Sequence, residues 1–349
     1  MKEIGSKFWT IDYSDNNNGL DYLNIGSDYK LMMSGRTAID YIIGDIDNQD
    51  KVVYMPDYCC LSMVQPFIDN GYKVEYYKCD ILNKKYGINT KFDCGVFFAM
   101  SYFGYNESNM DNYIEAFKER GITVIEDITH RLLSTNNHSK SSTYLVASLQ
   151  KWFPVVSGGV AIKMNGKFKN SIDDYKVFEE YVATKKEAMD LKRKHIDGNY
   201  DDKTKYLGLF SQADQMIEED YRGKKIDDDS LNVLKNIDID EIKRIRVENC
   251  LAIEKLLKNN EKIVMLFKFE EGDCPLFVPI KIDNRDKVRE RLISDSIYLP
   301  MHWPNDLKLD NEIYNYELSL VCDQRYKVND VSSYVSKLIS IVEDGNDGI

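Results

Sequence analysis

Gly95-Val96-Phe97-Phe98-Ala99-Met100 and Ile122-Thr123-Val124-Ile125-Glu126-Asp127-Ile128-Thr129-His130 decide the fold. The first is a dense apolar run; the second is β-branched and ends on two acids. Side chains of a strand alternate between its faces, so a strand that is apolar throughout suits a sheet covered on both sides. Between the two lies Tyr113–Glu119, a helical pattern that closes near Gly121. The same alternation continues outward. Upstream, Val52–Met55 ends at Pro56, Ser62–Asn70 is helix-like and stops at Gly71, and Lys73–Lys78 is a strand rich in Tyr and Val. Downstream come Tyr144–Ala147 and Gly159–Lys163. Strands alternating with helices predict an α/β chain built from βαβ units, with a mostly parallel sheet covered by helices.

The pattern changes further on. Asp173–Ile226 is charged and helical, with a loop expected at Asp197-Gly198-Asn199 and a turn or helix start at Asp227-Asp228-Asp229. Ile239–Leu257 reads as a long amphipathic helix carrying Arg244, Arg246 and Asn249. Short strands around Val264–Phe269 and Leu276–Lys281, a helix around Arg285–Ile293 and an amphipathic helix at Val331–Val342 follow. A chain of 349 residues is long for one core, so two domains are expected. We place a large domain at residues 1–235, including an N-terminal extension, and a small C-terminal α+β domain at 236–349.

Composition narrows the partners. Hydrophobic residues are 43% and charged residues 30%, as in an ordinary globular protein. The net charge of -12 repels nucleic-acid phosphates, and no Lys/Arg-rich tract offsets it, so no nucleic acid is expected. No run approaches the ~18 apolar residues of a membrane span. Met1–Thr10 lacks the apolar core of a signal peptide, which makes a cytoplasmic location the expectation. Cys59, Cys60, Cys79, Cys94, Cys250, Cys274 and Cys322 form no C-x-x-C pair; buried free thiols are expected, and neither a zinc site nor any other metal.

In an open α/β sheet, ligands bind at the carboxyl ends of the strands. Three such ends stand out. Ser34-Gly35-Arg36-Thr37-Ala38 precedes the helical run Ile39–Ile43. Small and hydroxyl residues at a helix start leave backbone N–H groups free for an anion, and an ordinary N-cap reads the same way. Asp127 closes a buried strand, where a carboxylate is costly unless it meets a cation or caps a helix. Lys151 follows a buried strand in Ser148-Leu149-Gln150-Lys151-Trp152, ahead of Gly158-Gly159. It is either a surface lysine or an amine whose pKa desolvation lowers, ready for a Schiff base. The three features occur in order, with Lys151 24 residues after Asp127. Together they match what pyridoxal 5'-phosphate (PLP) needs: a phosphate cradle, a counter-ion for the ring nitrogen and an amine for the aldehyde.

These segments resemble the DegT/DnrJ/EryC1/StrS family of PLP-dependent sugar aminotransferases. Pro56-Asp57-Tyr58-Cys59-Cys60-Leu61-Ser62, Glu126-Asp127-Ile128-Thr129-His130, Ser148–Lys151, Arg244–Asn249 and Tyr298-Leu299-Pro300-Met301-His302-Trp303-Pro304 carry the resemblance, which runs from about residue 30 to about 340. It implies the aspartate-aminotransferase fold (fold type I), with a seven-stranded type of sheet. It also implies roles. Lys151 would carry the cofactor and act as general base, and Asp127 would keep the pyridine nitrogen protonated. His130 would reach the ring hydroxyl; Arg36 and Thr37, beside Gly35, would hold the phosphate with Ser148. Cys60 stands where many members hold a ring-stacking aromatic, so Tyr102 or Phe103 is expected to stack instead. A homodimer is implied as well.

The expected function is amino transfer from an amino acid, glutamate by analogy, through the PLP and PMP forms to a keto group, most plausibly of a nucleotide-linked keto sugar. A PLP enzyme with other chemistry, such as a dehydratase or lyase, is the alternative; sugar dehydratases of this superfamily replace the lysine with His, and Lys151 is present. A non-catalytic relative would more readily have lost Lys151 or Asp127. His302 either lines the substrate cleft or is a packed histidine. Arg325, in Asp323-Gln324-Arg325-Tyr326, either binds a carboxylate or phosphate or forms a structural ion pair.

Overall fold

The structure is a computed structural model that describes residues 3–10, 19–47, 49–106 and 109–344. Its strands are β1 (Ile4–Gly5), β2 (Asp28–Met32), β3 (Val52–Pro56), β4 (Lys73–Asp80), β5 (Lys85–Gly87), β6 (Val96–Met100), β7 (Thr123–Asp127), β8 (Tyr144–Ser148), β9 (Gly159–Lys163), β10 (Ile263–Met265), β11 (Val278–Ile282), β12 (Ile297–Tyr298) and β13 (Glu317–Leu320). Eight of them form the main sheet, in the order β2-β9-β8-β7-β6-β3-β4-β5. β4, β3, β6, β7 and β8 are parallel neighbours. β9 runs antiparallel to both β8 and β2, so β2 points the same way as β8. The expected α/β sheet is present; the strand beyond seven is the short hairpin partner β5.

Apolar runs explain the centre. Every residue of β6 is buried, and its Phe97 faces Val124 of β7 while Phe98 faces Ile125. β2 escaped the sequence reading because it is an edge strand: Asp28 and Lys30 alternate with Tyr29 and Leu31, and only Met32 is buried. Helix α1 (Gly35–Asp45) packs Ile39, Ile42 and Ile43 into the core, and α2 (Leu61–Asp69) and α3 (Met110–Glu119) supply Phe67 and Phe117. The charged middle forms α4 (Glu179–Ile196) and α5 (Lys203–Glu219), broken near Gly198 as expected; Asp227 caps α6 (Asp228–Asn236) by accepting the Ser230 N–H.

α7 spans Ile239–Leu257, as its amphipathic pattern predicts. Within it Arg244 is exposed and paired with Glu241 and Glu248, whereas buried Asn249 donates to the Cys322 and Tyr326 carbonyls. A smaller sheet, β10-β11-β13, follows, with α8 (Arg285–Ser294), the single turn α9 (Ile313–Tyr316) and the terminal α10 (Val328–Asp344). β13 was missed because Glu317 and Ser319 alternate with Leu318 and Leu320, yet all four are buried. β1 pairs in parallel with β12, which ties the N-terminal segment to this region.

Gly159 has a steric job. It pairs with Met32 on one side and Ser148 on the other, and a Cβ there would lie 2.1 Å from the Ser34 carbonyl. The chain leaving β2 can cross β9 only because that atom is missing. Gly159→Ala is expected to cost about 1–3 kcal/mol in urea unfolding. Gly208, inside α5 with nothing within 4 Å of its missing Cβ, is the control; Gly208→Ala is expected to add about 0.5–1 kcal/mol.

Glu126 is buried at the end of β7. One carboxyl oxygen accepts the Ser139 N–H at 2.9 Å and the Ser142 hydroxyl at 2.6 Å. Burial still dominates and pushes the carboxyl from 4.5 up to about 7. The folded state therefore holds this proton to higher pH than the unfolded chain, and the stabilisation present below 4.5 is lost as pH rises through 7. Glu126→Gln should flatten the pH dependence of the unfolding midpoint across that window.

Candidate active site

β2, β3, β6, β7 and β8 share a direction, so their carboxyl ends meet on one edge of the sheet. A cavity of about 730 Å³ opens there, within the range of small-molecule sites. Ser34, Gly35 and Arg36 line it after β2, Cys60 after β3, Asp127 and His130 after β7, and Ser148 and Lys151 after β8. The small sheet's side contributes His302 and Trp303.

The wall around Asp127 is rigid. Asp127 Oδ1 accepts the Thr129 N–H at 2.8 Å, the Thr129 hydroxyl accepts the Ser148 N–H at 3.0 Å, and Trp152 Nε1 donates to the Thr129 carbonyl at 2.5 Å. These bonds lock the ends of β7 and β8 together. Burial raises the Asp127 carboxyl's pKa, while Thr129 and the Lys151 charge oppose the rise. A carboxylate held this way gains most from a cationic N–H placed against it.

His130 is fully buried. Its Nδ1 accepts the Phe103 N–H at 3.0 Å, so the ring proton belongs on Nε2. That Nε2 has no partner among the described residues. Burial and the Lys151 charge push the imidazole well below its usual pKa, keeping it neutral. An unsatisfied buried N–H costs about 1–3 kcal/mol, which a ligand oxygen would remove.

The start of α1 forms an anion cradle. Ser34 caps the helix by accepting the Thr37 N–H at 3.1 Å, leaving the first-turn N–H groups of Gly35 and Arg36 without intrahelical acceptors. A Cβ on Gly35 would come within 3.1 Å of Ser148 Cβ, so the cradle abuts the end of β8. Gln150 donates to the Met33 carbonyl at 3.0 Å and turns its own carbonyl to Lys185 Nζ at 2.5 Å. Lys185, on α4, also donates to the Tyr181 hydroxyl at 2.9 Å, and burial pushes its ammonium down to about 8. Neither Arg36 nor Lys185 makes a salt bridge among the described residues. A phosphate dianion fits that surplus of donors and positive charge.

Lys151 Nζ lies 5.4 Å from the centre of the Trp303 ring. Trp303 in turn stacks on His130, with centroids 5.6 Å apart and planes 27° apart. All seven cysteines are free thiols. Cys60 faces the cavity with its Sγ 2.9 Å from the Ser62 hydroxyl. Among the described residues no group of three or more His, Cys, Asp or Glu is placed to hold a metal.

Two expectations need correction. Thr37 does not line the cavity: its hydroxyl donates to the Tyr221 carbonyl at 2.9 Å. Tyr102 is buried beneath the site, donating to the Tyr58 carbonyl at 2.7 Å, and Phe103 is buried too; neither is a cavity wall. The indole at the cavity is that of Trp303, which the sequence reading passed over. Arg325 reaches the cavity, but its guanidinium is committed to Asp323 (2.8 and 2.7 Å) and to the Gly5 and Ser6 carbonyls (3.2 Å each), with Phe8 stacked 4.3 Å away. It fastens the N-terminal segment over the site. His302 does line the cleft. Lys185 was missed because nothing separates it from the other lysines of α4.

The chain has the fold of sugar aminotransferases. Helicobacter pylori PseC, an aminotransferase involved in pseudoaminic acid biosynthesis, superposes with a TM-score of 0.68 at 12% identity, covering 98% of this chain and 100% of PseC. Spr1654 from Streptococcus pneumoniae, assigned as a sugar aminotransferase and solved in its PMP form, gives 0.66 at 11% identity, covering 98% of each chain. A DegT DnrJ EryC1 StrS aminotransferase from Brucella abortus gives 0.63 at 13%, covering 92% of this chain and 87% of that one. No family model and no curated protein matches the sequence.

The committed guanidinium of Arg325 sets a prediction. Arg325→Met would leave Asp323, 3% exposed, without its cation. Breaking a buried pair this way costs about 3–5 kcal/mol, to be read as a lowered denaturant midpoint. An unchanged midpoint would return Arg325 to the role of a ligand-binding cation.

Proposed function

We propose that this chain is a PLP-dependent aminotransferase of the DegT/DnrJ/EryC1/StrS type. The observation that carries the reading is the His130 Nε2–H, unpartnered among the described residues, in one cavity with Asp127, Lys151 and the Ser34–Arg36 cradle. Those groups fit a ring with a phosphate, a hydroxyl oxygen, a basic nitrogen and an aldehyde. Bound PLP supplies an electron sink for charge developing on a substrate carbon. The protein does the rest. Gly35 and Arg36 N–H groups, with the Arg36 and Lys185 charges, would hold the phosphate. Asp127 would keep a proton on the pyridine nitrogen, and His130 Nε2–H would meet the ring oxygen. Lys151 Nζ would hold the aldehyde end and would move a proton at the substrate carbon. Trp303 and the N-terminal segment exclude water.

In this reading glutamate is the amino donor and a nucleotide-linked keto sugar the acceptor, and the chain works as a cytoplasmic homodimer with its domain division near residue 235. Among the described residues no helix is long and apolar enough to cross a membrane.

The test is optical. Protein purified with PLP should show a visible absorption band that Lys151→Ala lacks, and glutamate should bleach it. Asp127→Asn should keep the band but bleach about 100-fold more slowly or worse, since its amide cannot hold the proton on the ring nitrogen. A band indifferent to glutamate would leave PLP chemistry of another kind. Folded protein with no band at all would remove the enzyme.

A further inference from the structure

β13 places Glu317 and Ser319 two residues apart, on one face of a strand that points at the cavity wall. Both side chains are buried, Glu317 at 1% exposure and Ser319 at 0%. Glu317 Oε2 accepts the backbone N–H of His302 at 2.6 Å. The other oxygen, Oε1, lies 2.5 Å from the Ser319 hydroxyl, and that hydroxyl lies 2.8 Å from His302 Nδ1. His302 lines the cavity with Lys151, packed between Phe277 (4.8 Å between centroids), Phe103 (5.5 Å) and His130 (5.6 Å). The three side chains form an unbroken hydrogen-bonded line from a buried carboxyl to the imidazole at the site.

With the imidazole neutral, the line has two fully hydrogen-bonded states. Oε2 is fixed as an acceptor by the His302 N–H, so a proton on Glu317 sits on Oε1. The Ser319 hydroxyl has one proton, so it donates to one neighbour and accepts from the other. With Glu317 ionised, Ser319 donates to Oε1 and accepts from Nδ1–H, leaving a lone pair on Nε2. With Glu317 protonated, Oε1–H donates to Ser319, Ser319 donates to Nδ1, and Nε2 carries the proton.

We propose that Glu317, Ser319 and His302 are a proton relay that delivers a proton to a substrate oxygen from His302 Nε2 and refills it from Glu317. This rests on the amino-transfer reading, in which a keto substrate gives up its oxygen as water while Lys151 is occupied at carbon. Each transfer balances. The Nε2 proton bonds to the substrate oxygen, the Ser319 proton moves to Nδ1, and the Glu317 proton moves to Ser319 Oγ. The imidazole ends neutral, as it began, and the negative charge ends on Glu317. His302 is the catalytic group; Glu317 and Ser319 are positioning residues that act through it.

The surroundings favour this division. Burial pushes the Glu317 carboxyl up to about 8, opposed by the two hydrogen bonds and by Arg285 of α8. Tyr58, from the connection after β3, faces it too. His302 is held well below its usual pKa by burial and by Lys151, with neutral His130 as its other polar neighbour. A proton is therefore stored as a carboxylic acid at neutral pH, and an imidazolium is avoided.

The full chain has four histidines, so 15N-histidine labelling gives four rings, and His302→Gln assigns the one in question. In the parent, His302 should carry its proton on Nε2 near neutral pH and on Nδ1 above a midpoint near 8, without passing through a doubly protonated form. Ser319→Ala should abolish the exchange, Ser319→Thr should restore it, and Glu317→Gln should fix one tautomer. A parent tautomer that does not change between about pH 6.5 and about pH 9.5, or a switch that survives Ser319→Ala, overturns the relay. The measurement needs no cofactor. A fixed tautomer in protein whose visible band glutamate bleaches overturns the relay alone. A switching His302 in protein with no band overturns the aminotransferase and leaves the wire itself standing.

Discussion

A carboxylate at the end of a buried strand has to be supported, and the site is built around the support given to Asp127. Its Oδ1 is held by the Thr129 N–H, and the Thr129 hydroxyl is held by the Ser148 N–H. That short chain of bonds joins the ends of β7 and β8 and so fixes Asp127 relative to Lys151, which follows β8 in a 3-10 turn. Trp152, donating from below to the Thr129 carbonyl, closes the arrangement from the core side. A loss at Thr129 would loosen two strands at once, although Thr129 carries no chemistry of its own.

The cavity's electrostatics follow from desolvation more than from paired charges. His130 and His302 are both neutral, their rings near-perpendicular at 86°, and each has one nitrogen anchored: Nδ1 of His130 to the Phe103 N–H and Nδ1 of His302 to Ser319. Anchoring one nitrogen decides what the other offers the cavity. His130 is thereby a fixed donor, whereas His302 can change role, because its anchor is a hydroxyl and hydroxyls rotate. The cations contrast with this. Arg325 is spent on Asp323 and backbone carbonyls, while Arg36 and Lys185 meet only neutral groups at hydrogen-bond range. Arg36 and Lys185 thus leave two cations without a carboxylate partner, among the described residues, on the cradle side of the site, where a phosphate would lie in the proposed reading.

Much of this was legible in the sequence, for reasons that differ by element. β6 and β7 announced themselves because strands covered on both faces must be apolar throughout, and α7 because a helix lying on a core repeats at its own period. β2 and β13 did not. β2 is an edge strand with a mixed surface, and β13 is buried but has polar side chains on the face that serves the site, so its alternation looks like that of an exposed strand. At the site, Asp127, Ser148 and Lys151 were found from their places at strand ends and His130 from the family resemblance, and the cavity does gather them. Thr37 and Tyr102 were misplaced because the reading fixed positions along the chain but not directions: each side chain turns to a backbone carbonyl and away from the cavity. Lys185 and the Gly5–Phe8 wall come from distant parts of the chain, and no local pattern marks them; Trp303 lies in the Tyr298–Pro304 segment of the resemblance, but nothing local marks it as a cavity wall.

The fold survives at 12% identity to PseC across the whole length of both chains, while no family model matches. The two observations agree once the constraints are separated. A parallel sheet requires apolar runs of the right length, and many sequences supply them. The crossing of the chain over β9 requires no Cβ at Gly159, which is one atom at one position. The proposed site requires a carboxylate, a lysine and a helix start at the ends of strands that run the same way. Everything between those points can drift, including which aromatic faces the cavity. Here the wall that contacts both Lys151 and His130 is an indole from the segment before β13, so the same segment supplies the wall and, through His302, the terminus of the buried line to Glu317. Water exclusion and proton handling thus depend on one stretch of chain, and a substitution that loosened Trp303 would be expected to disturb both.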